Sequence, residues 1–166
     1  MNLRDILTLY DYNYWATRRI LDASAHVSLE QFTVPTAHSF GSLRGTLIHI
    51  LDSECAWRML LQHNTLGYFD AMREEDFPTS EVVEQRWKEE ELAMRDYLVH
   101  LTDADLTGII RYTTDEGDHR ERVLWHCLLH VVNHGTHHRS EAAAILTDYG
   151  HSPDGLDFTA FLNEQQ

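Results

Sequence analysis

Histidines are concentrated in one stretch of the sequence. Five of the thirteen residues from 126 to 138 are histidine, out of twelve in the whole chain. Because an α-helix turns about 100° per residue, all five side chains fall within an arc of about 120°. The five are His126, His130, His134, His137 and His138. Imidazole binds Zn, Ni, Cu and Fe ions, so this helix face predicts a metal site.

Histidines four residues apart lie one helical turn above each other, where both rings can reach a single ion. The row contains three such pairs, and the spacing alone leaves all three open. The pairs are His126 with His130, His130 with His134, and His134 with His138. In each case the alternative is a structural histidine that packs and forms hydrogen bonds at the edge of the core.

A third ligand must come from another helix, and the candidate is His49. It is the one histidine outside the row that the pattern places in the middle of a helix. The small residues Gly45, Ser53 and Ala56 lie on the same helix and leave space around its ring. The competing interpretation is a half-buried histidine held by ordinary hydrogen bonds.

Apolar residues at helical spacing predict four long helices to position these side chains. The helices cover residues 2 or 3 to 25, 42 to 63, 79 or 80 to 100, and 123 to 149. Ser42 is suited to cap the second helix, and Gly150 to end the fourth. The charged face from Lys88 to Glu91 on the third helix is predicted to be solvated.

The segments between these helices complete the predicted fold. Residues 109–122 predict a short hairpin with glycine at its turn, with an irregular crossover as the alternative. Residues 28–41 and 67–78 are predicted to be loops, and residues 157–163 a short closing helix. Loops of this length allow crossovers, so the fold class is all-α, a four-helix bundle with crossover connections.

Composition limits the function classes. The 166 residues have a mass of 19.3 kDa and suit one domain, which we expect to cover residues 1–166. Thirteen Lys and Arg against 27 Asp and Glu give a net charge of −14, which repels nucleic acid. No apolar run approaches the roughly 20 residues that span a membrane, and the N-terminus lacks a signal-peptide core. Cys55 and Cys127 predict buried free thiols in a reducing compartment, so we expect a cytoplasmic protein.

Three segments resemble the DinB family of metal-binding helical proteins. They are NHGTHHR at residues 133–139, GTLIH at residues 45–49, and YNYWATR at residues 12–18. The resemblance covers nearly the whole chain, and the first segment is its most specific part. It implies a four-helix bundle, often a homodimer, that holds a divalent metal through three histidines.

By position in these segments, the implied ligands are His49, His134 and His138. The resemblance therefore selects one of the three pairs that spacing left open. All-imidazole sites accept several ions, so Zn or Ni is expected first, with Fe, Mn and Cu as alternatives.

Three further residues are predicted to lie near this site. His130 is expected to line a pocket, and His137 to face the pocket, the solvent or a partner subunit. The chain departs from the family after Arg139, where Ser-Glu at residues 140–141 replaces the usual Gly-Gln. Glu141 is therefore expected either to accept a hydrogen bond from a ligand histidine or to face solvent or an arginine.

The family includes thiol S-transferases, in which a low-molecular-weight thiol adds to an electrophile. The resemblance therefore implies a metal-dependent thiol transferase with a small-molecule substrate, acting in stress or detoxification. A divalent ion held by neutral ligands lowers the pKa of a bound thiol or water, which fits a site without an evident carboxylate base. The alternatives are a metal-assisted hydrolase and a metal-binding protein without enzymatic activity.

Overall fold

The computed structural model describes residues 1–64, 70–114 and 117–165. The chain is mostly helical and carries one small antiparallel sheet. The helices are α1 Leu3–Ser24, α2 Leu29–Thr33, α3 Leu43–His63, α4 Ser80–Val99, α5 Leu124–Asp148 and α6 Phe158–Glu164. The strands are β1 Ile109–Thr113 and β2 His119–Val123, and short 3₁₀ turns cover Glu74–Asp76 and Asp105–Thr107.

The four long helices begin and end close to the predicted residues, and local caps mark the starts of α1 and α3 and the end of α5. The Asn2 side chain accepts from the Asp5 backbone N–H, and the Asp5 carboxylate accepts from the Asn2 backbone N–H. Ser42 Oγ accepts from the Gly45 N–H at the start of α3, as predicted. Gly150 follows α5 with a φ of +82°, a left-handed conformation that favours glycine. The predictions for these helices and for α6 are confirmed.

The prediction of a continuous loop over residues 28–41 is wrong at its beginning, where α2 forms. Ser28 Oγ accepts from the Gln31 N–H, and the Gln31 side chain accepts from the Ser28 N–H. This capping box supports a helix of five residues, which is too short to show a hydrophobic repeat. Phe32 of α2 is buried and fixes the helix against the core.

The predicted hairpin is confirmed. The two strands pair in antiparallel register, with Ile109 opposite Val123 and Thr113 opposite His119. Gly117 has a φ of +87°, and the other predicted turn residues 115 and 116 lie outside the described residues. Part of the predicted loop over residues 67–78, namely residues 67–69, also lies outside them.

The long helices pack in a closed order: α5 contacts α1 and α3, and α4 contacts the same two helices. This arrangement encloses a core that includes Tyr10, Leu47, Trp87, Leu128 and Ile145. None of the helices in the described segments is long and apolar enough to cross a membrane.

The prediction that the 88–91 face of α4 is solvated is wrong for Glu90, which is completely buried. The Nε and Nη2 of Arg58 on α3 donate to the Glu90 carboxylate, and Cys55 Sγ donates to it at 2.9 Å. Arg58 and Glu90 form an ion pair because α4 packs on α3. The pattern of charges within α4 alone does not show this contact. Cys55 and Cys127 are buried free thiols, as predicted.

Candidate metal centre

Three half-buried imidazoles meet between α3 and α5. His49 comes from α3, while His134 and His138 are one turn apart on α5. The Nε2 atoms of His49 and His134 lie 2.9 Å apart. One nitrogen from each of the three rings lies within 4.8 Å of the others, so the three can converge on one ion. We call this group, His49, His134 and His138, the imidazole cluster.

The loop before α3 closes one side of the imidazole cluster. The Phe40 ring stacks on His49 with centroids 3.6 Å apart and meets His138 edge-on at 5.1 Å. This close approach requires Gly45, since a Cβ there would overlap the Phe40 carbonyl oxygen. The predicted space beside His49 is therefore used by the Phe40 loop.

Glu141 supports the cluster from one turn further along α5. His138 Nδ1 donates to Glu141 Oε2 at 2.9 Å, and Ser39 Oγ donates to Oε1 at 2.7 Å. These two hydrogen bonds, the His138 bond first, lower the pKa of the Glu141 carboxyl. A carboxylate only accepts, so His138 Nδ1 carries a proton, and in the neutral form of the ring the Nε2 lone pair is free for an ion.

Burial favours the neutral form of the His49 and His134 rings. Burial, with a smaller contribution from the neighbouring His138, lowers the pKa of His49 to about 4, while Glu141 opposes the shift. Burial also lowers the pKa of His134 to about 4, with additional contributions from the surrounding histidines. At pH 7 both rings therefore keep a lone pair for a metal. Nitrogen ligands of this kind suit Zn and other late first-row ions, so the residues fit a divalent metal.

The other predicted residues take different positions. His137 is exposed, and it forms a second potential ligand group with His138 and Glu141. That group comes from one helix, and both Glu141 oxygens already accept hydrogen bonds, so the imidazole cluster fits an ion better. The His130 ring lies 5.9 Å from that of His134 and 5.1 Å from that of Trp57, at the edge of a cavity.

The remaining residues of the 133–139 segment attach α5 to α1. Arg139 is only 2% exposed and donates from Nη1 to Asn13 Oδ1 at 2.6 Å. Its Nη2 donates to Thr136 Oγ1 at 3.1 Å. A Cβ on Gly135 would lie 2.6 Å from Arg139 Nη1, so glycine makes room for the guanidinium.

The hydrogen bond between Arg139 and Asn13 continues to the buried carboxylate of Glu54, which the sequence analysis did not identify as part of a polar network. Asn13 Nδ2 donates to Glu54 Oε2 at 3.2 Å, and the Tyr14 hydroxyl donates to Oε1. We call Asn13, Tyr14, Glu54 and Arg139 the buried network. Its only sequence signals are a glutamate on an apolar helix stripe and the arginine that closes the histidine segment.

The fold and the site define a class of protein: a helical protein whose long helices bring three imidazoles together at a potential metal site. The chain belongs to the DinB family, whose model matches residues 1–166.

Two known proteins are similar to the chain over most of its length. It is 26% identical to Protein DinB of Bacillus subtilis (strain 168) over 158 residues, which are 93% of this chain and 91% of that protein. Among solved structures, a DinB-like protein from Bacillus cereus ATCC 10987 superposes with a TM-score of 0.70 at 19% identity, covering 93% of this chain and 97% of the other. This structural likeness supports a shared fold.

Proposed function

We propose that this protein is a divalent-metal-dependent thiol S-transferase that acts on small electrophiles in stress or detoxification. The observation that carries the proposal is the convergence of His49, His134 and His138 from two helices, with two Nε2 atoms 2.9 Å apart. These three residues would hold the ion, with Zn or Ni the first expectation. When bound, a divalent ion would supply Lewis acidity, which lowers the pKa of a thiol or a water.

The chain's own residues favour thiol chemistry over hydrolysis. Glu141 is hydrogen-bonded to the cluster, and both its oxygens already accept from His138 and Ser39. It is therefore suited to orient a ligand histidine rather than to take a proton from water. A thiol that has lost its proton is itself the nucleophile. In the transfer, sulfur forms a bond to an electrophilic carbon, the carbon's bond to the leaving group breaks, and the thiol proton passes to solvent.

The proposal includes the assembly and the location. The four long helices would form a four-helix bundle with crossover connections, and the chain would act as a cytoplasmic homodimer. The net charge of −14 supports a small-molecule partner rather than nucleic acid. Sedimentation equilibrium tests the dimer directly, because a monomer mass of 19.3 kDa at micromolar concentration would contradict it.

The first experiment measures metal content by plasma mass spectrometry on protein purified without a His-tag or chelator. We expect near-stoichiometric divalent metal in the parent and little in His49→Ala and His134→Ala. His63→Ala, at the exposed end of α3, is the matched control and should keep the metal. Absence of metal after reconstitution with Zn²⁺ or Ni²⁺ would overturn the site.

The second experiment assigns the reaction. Metal-loaded protein is incubated with 1-chloro-2,4-dinitrobenzene in the presence and absence of cysteine or glutathione, and with a nitrophenyl ester. A transferase releases chloride faster than the spontaneous reaction with thiol only when both metal and thiol are present, and His49→Ala abolishes this increase. Ester cleavage without thiol would indicate the hydrolase instead. Metal that raises the melting temperature while all substrates stay unreacted would indicate a non-enzymatic metal-binding protein.

A further inference from the structure

A cavity of about 380 Å³ opens between the hairpin, α3 and the first turns of α5. It lies next to the imidazole cluster, because His130 on its wall is one turn before His134 on α5. Its lining consists of Trp57, Tyr112, Arg122, His126, Cys127 and His130. We call it the hairpin cavity.

One wall of the hairpin cavity is a continuous row of rings. Trp57 meets His130 with centroids 5.1 Å apart and meets Tyr112 edge-on at 5.5 Å. The row thus runs from the cluster to β1. Aromatic walls of this kind bury the apolar part of a ligand and leave its polar ends to other residues.

The opposite end of the cavity carries a cation. Arg122 on β2 is exposed and donates from Nη1 to the backbone oxygen of Glu121 at 2.8 Å. Within residues 1–64, 70–114 and 117–165, no carboxylate lies within 4.0 Å of its guanidinium nitrogens. By contrast, Arg111 and Arg120 on the same hairpin pair with Glu121 and Asp118. In a chain of net charge −14, a guanidinium that lies beside a cavity and has no acidic partner among the described residues favours an anionic ligand.

The strand register places this cation with the aromatic wall. Ile110 pairs with Arg122 and Tyr112 pairs with Arg120. Since side chains alternate across a strand, Tyr112 and Arg122 lie on one face of the hairpin. Arg111 lies on the other face, which makes it a matched control for charge.

The geometry points to a specific ligand class for the hairpin cavity: a thiol with a carboxylate at its far end, bound by Arg122. The inference rests on the proposed function, since it places the sulfur at the imidazole cluster. His126 lines the hairpin cavity and His134 belongs to the imidazole cluster. The two are eight residues apart on α5, which corresponds to a rise of about 12 Å along the helix axis. A ligand that spans this distance has about the length of a small peptide, and its middle packs along Trp57 and Tyr112.

The test uses two pairs of probes that differ only in the carboxylate. The thiol pair is 8-mercaptooctanoate and 8-mercaptooctanol, and the pair without sulfur is octanoate and octanol. Titration calorimetry on metal-loaded protein should show each acid binding about five- to tenfold more tightly than its alcohol. Arg122→Gln should remove this preference, Arg122→Lys should keep part of it, and Arg111→Gln should keep all of it.

A second measurement locates the ligand. In an ¹⁵N-labelled sample, octanoate should shift the indole N–H resonance of Trp57, assigned with Trp57→Phe, and the shift should be lost in Arg122→Gln. An unchanged Trp57 resonance at saturating octanoate would overturn the cavity as the binding site.

The outcomes separate this inference from the proposed function. If the thiol acid and thiol alcohol bind equally and Arg122→Gln has no effect, the hairpin cavity inference is wrong while a thiol site at the cluster stands. If the acids bind in an Arg122-dependent way but the sulfur adds no affinity, the carboxylate site stands and the thiol function fails.

Discussion

Two groups of polar side chains both use residues of α3 and α5, and the buried network also uses α1, but the two groups have opposite surroundings. In the buried network, Glu54 is 3% exposed and Arg139 is 2% exposed, and their side chains hydrogen-bond to Asn13 and its neighbours. In the imidazole cluster the rings are half-buried, and nitrogens of His49 and His134 point at each other. One group has its partners inside the protein, whereas the other keeps lone pairs for a partner from outside.

The difference separates structural polar residues from candidate functional ones. Burying a charge costs several kcal/mol, and hydrogen bonds and opposite charges must offset that cost. The buried network has such partners and so holds the helices in one arrangement. Neutral imidazoles cost less to keep half-buried, and they can exchange a mutual hydrogen bond for a metal. The following predictions test this division.

The largest expected effect is on stability when the buried network loses its cation. Arg139→Met leaves Asn13 Oδ1 and Thr136 Oγ1 without their donor and removes the positive charge near Glu54. We expect the free energy of unfolding to fall by about 3–5 kcal/mol. Urea denaturation of metal-free protein measures it. Arg111→Met, which breaks an exposed ion pair, should lower the free energy of unfolding by less than about 1 kcal/mol. Equal decreases in the two variants would contradict a structural role of the buried network.

Glu54→Gln should change the pH dependence of stability. Burial raises the pKa of Glu54 to about 7 from 4.5, although hydrogen bonds from Tyr14 and Asn13 oppose the shift. Between these pH values the folded protein holds a proton that the unfolded chain has lost. The free energy of unfolding therefore falls as pH rises through this window, by up to about 3 kcal/mol, and this contribution is constant above it. In Glu54→Gln the free energy of unfolding should no longer show this decrease with rising pH.

The measurement is a series of urea denaturations from pH 4.5 to 8 on metal-free parent and variant. The difference between the two curves isolates Glu54, because the histidines are common to both. The exposed Glu89→Gln should follow the parent at every pH. A Glu54→Gln curve parallel to that of the parent would show that Glu54 ionises normally in the folded protein.

Metal-linked stability should depend on the imidazole cluster alone. Zn²⁺ or Ni²⁺ at one hundred times its dissociation constant should raise the free energy of unfolding of the parent by about 2.7 kcal/mol. His49→Ala should show no such gain, while His63→Ala should gain as the parent does. If His49→Ala were stabilised to the same degree, the ion would bind elsewhere, for example at the His137, His138 and Glu141 group.

The smallest effect is expected at Glu141, which acts through His138. Glu141→Ala should weaken metal binding about ten- to a hundredfold, because His138 loses the acceptor that fixes its proton on Nδ1. Glu141→Gln should lose less, since its amide oxygen still accepts from that nitrogen. Competition with a chromophoric chelator measures both affinities. An equal loss in the two variants would mean that Glu141 acts by filling space rather than by accepting the hydrogen bond.

Local signals account for what the sequence predicts well. Repeating apolar residues and caps such as Ser42 are contained within single helices, so the long helices are recognised one at a time. His49 is found because it lies mid-helix among small residues. By contrast, Glu90 is buried by Arg58 from a neighbouring helix, and no spacing within α4 encodes that contact.

The candidate site shows the same limit. Spacing leaves three histidine pairs open, and the family resemblance is needed to choose His134 and His138. The position of Glu141 on the histidine arc is local information, but its second hydrogen bond comes from Ser39 in a distant loop. In the sequence, Arg139 cannot be distinguished from a charged residue at a helix surface. Its burial depends on the hydrogen bond to Asn13 of α1, which only the packing of the helices brings close.

The contact of Arg139 with α1 has a consequence for anyone who would transplant this site. His138 and Arg139 are neighbours in sequence, so the anchor that ties α5 to α1 also sets the rotation of α5 about its own axis. A side-chain atom about 5 Å from that axis moves almost 2 Å when the helix rotates by about 20°. That is close to the length of a metal–nitrogen bond, roughly 2.0–2.1 Å. Three histidines grafted onto another helical scaffold would therefore also need a rotational lock on the opposite side of the helix.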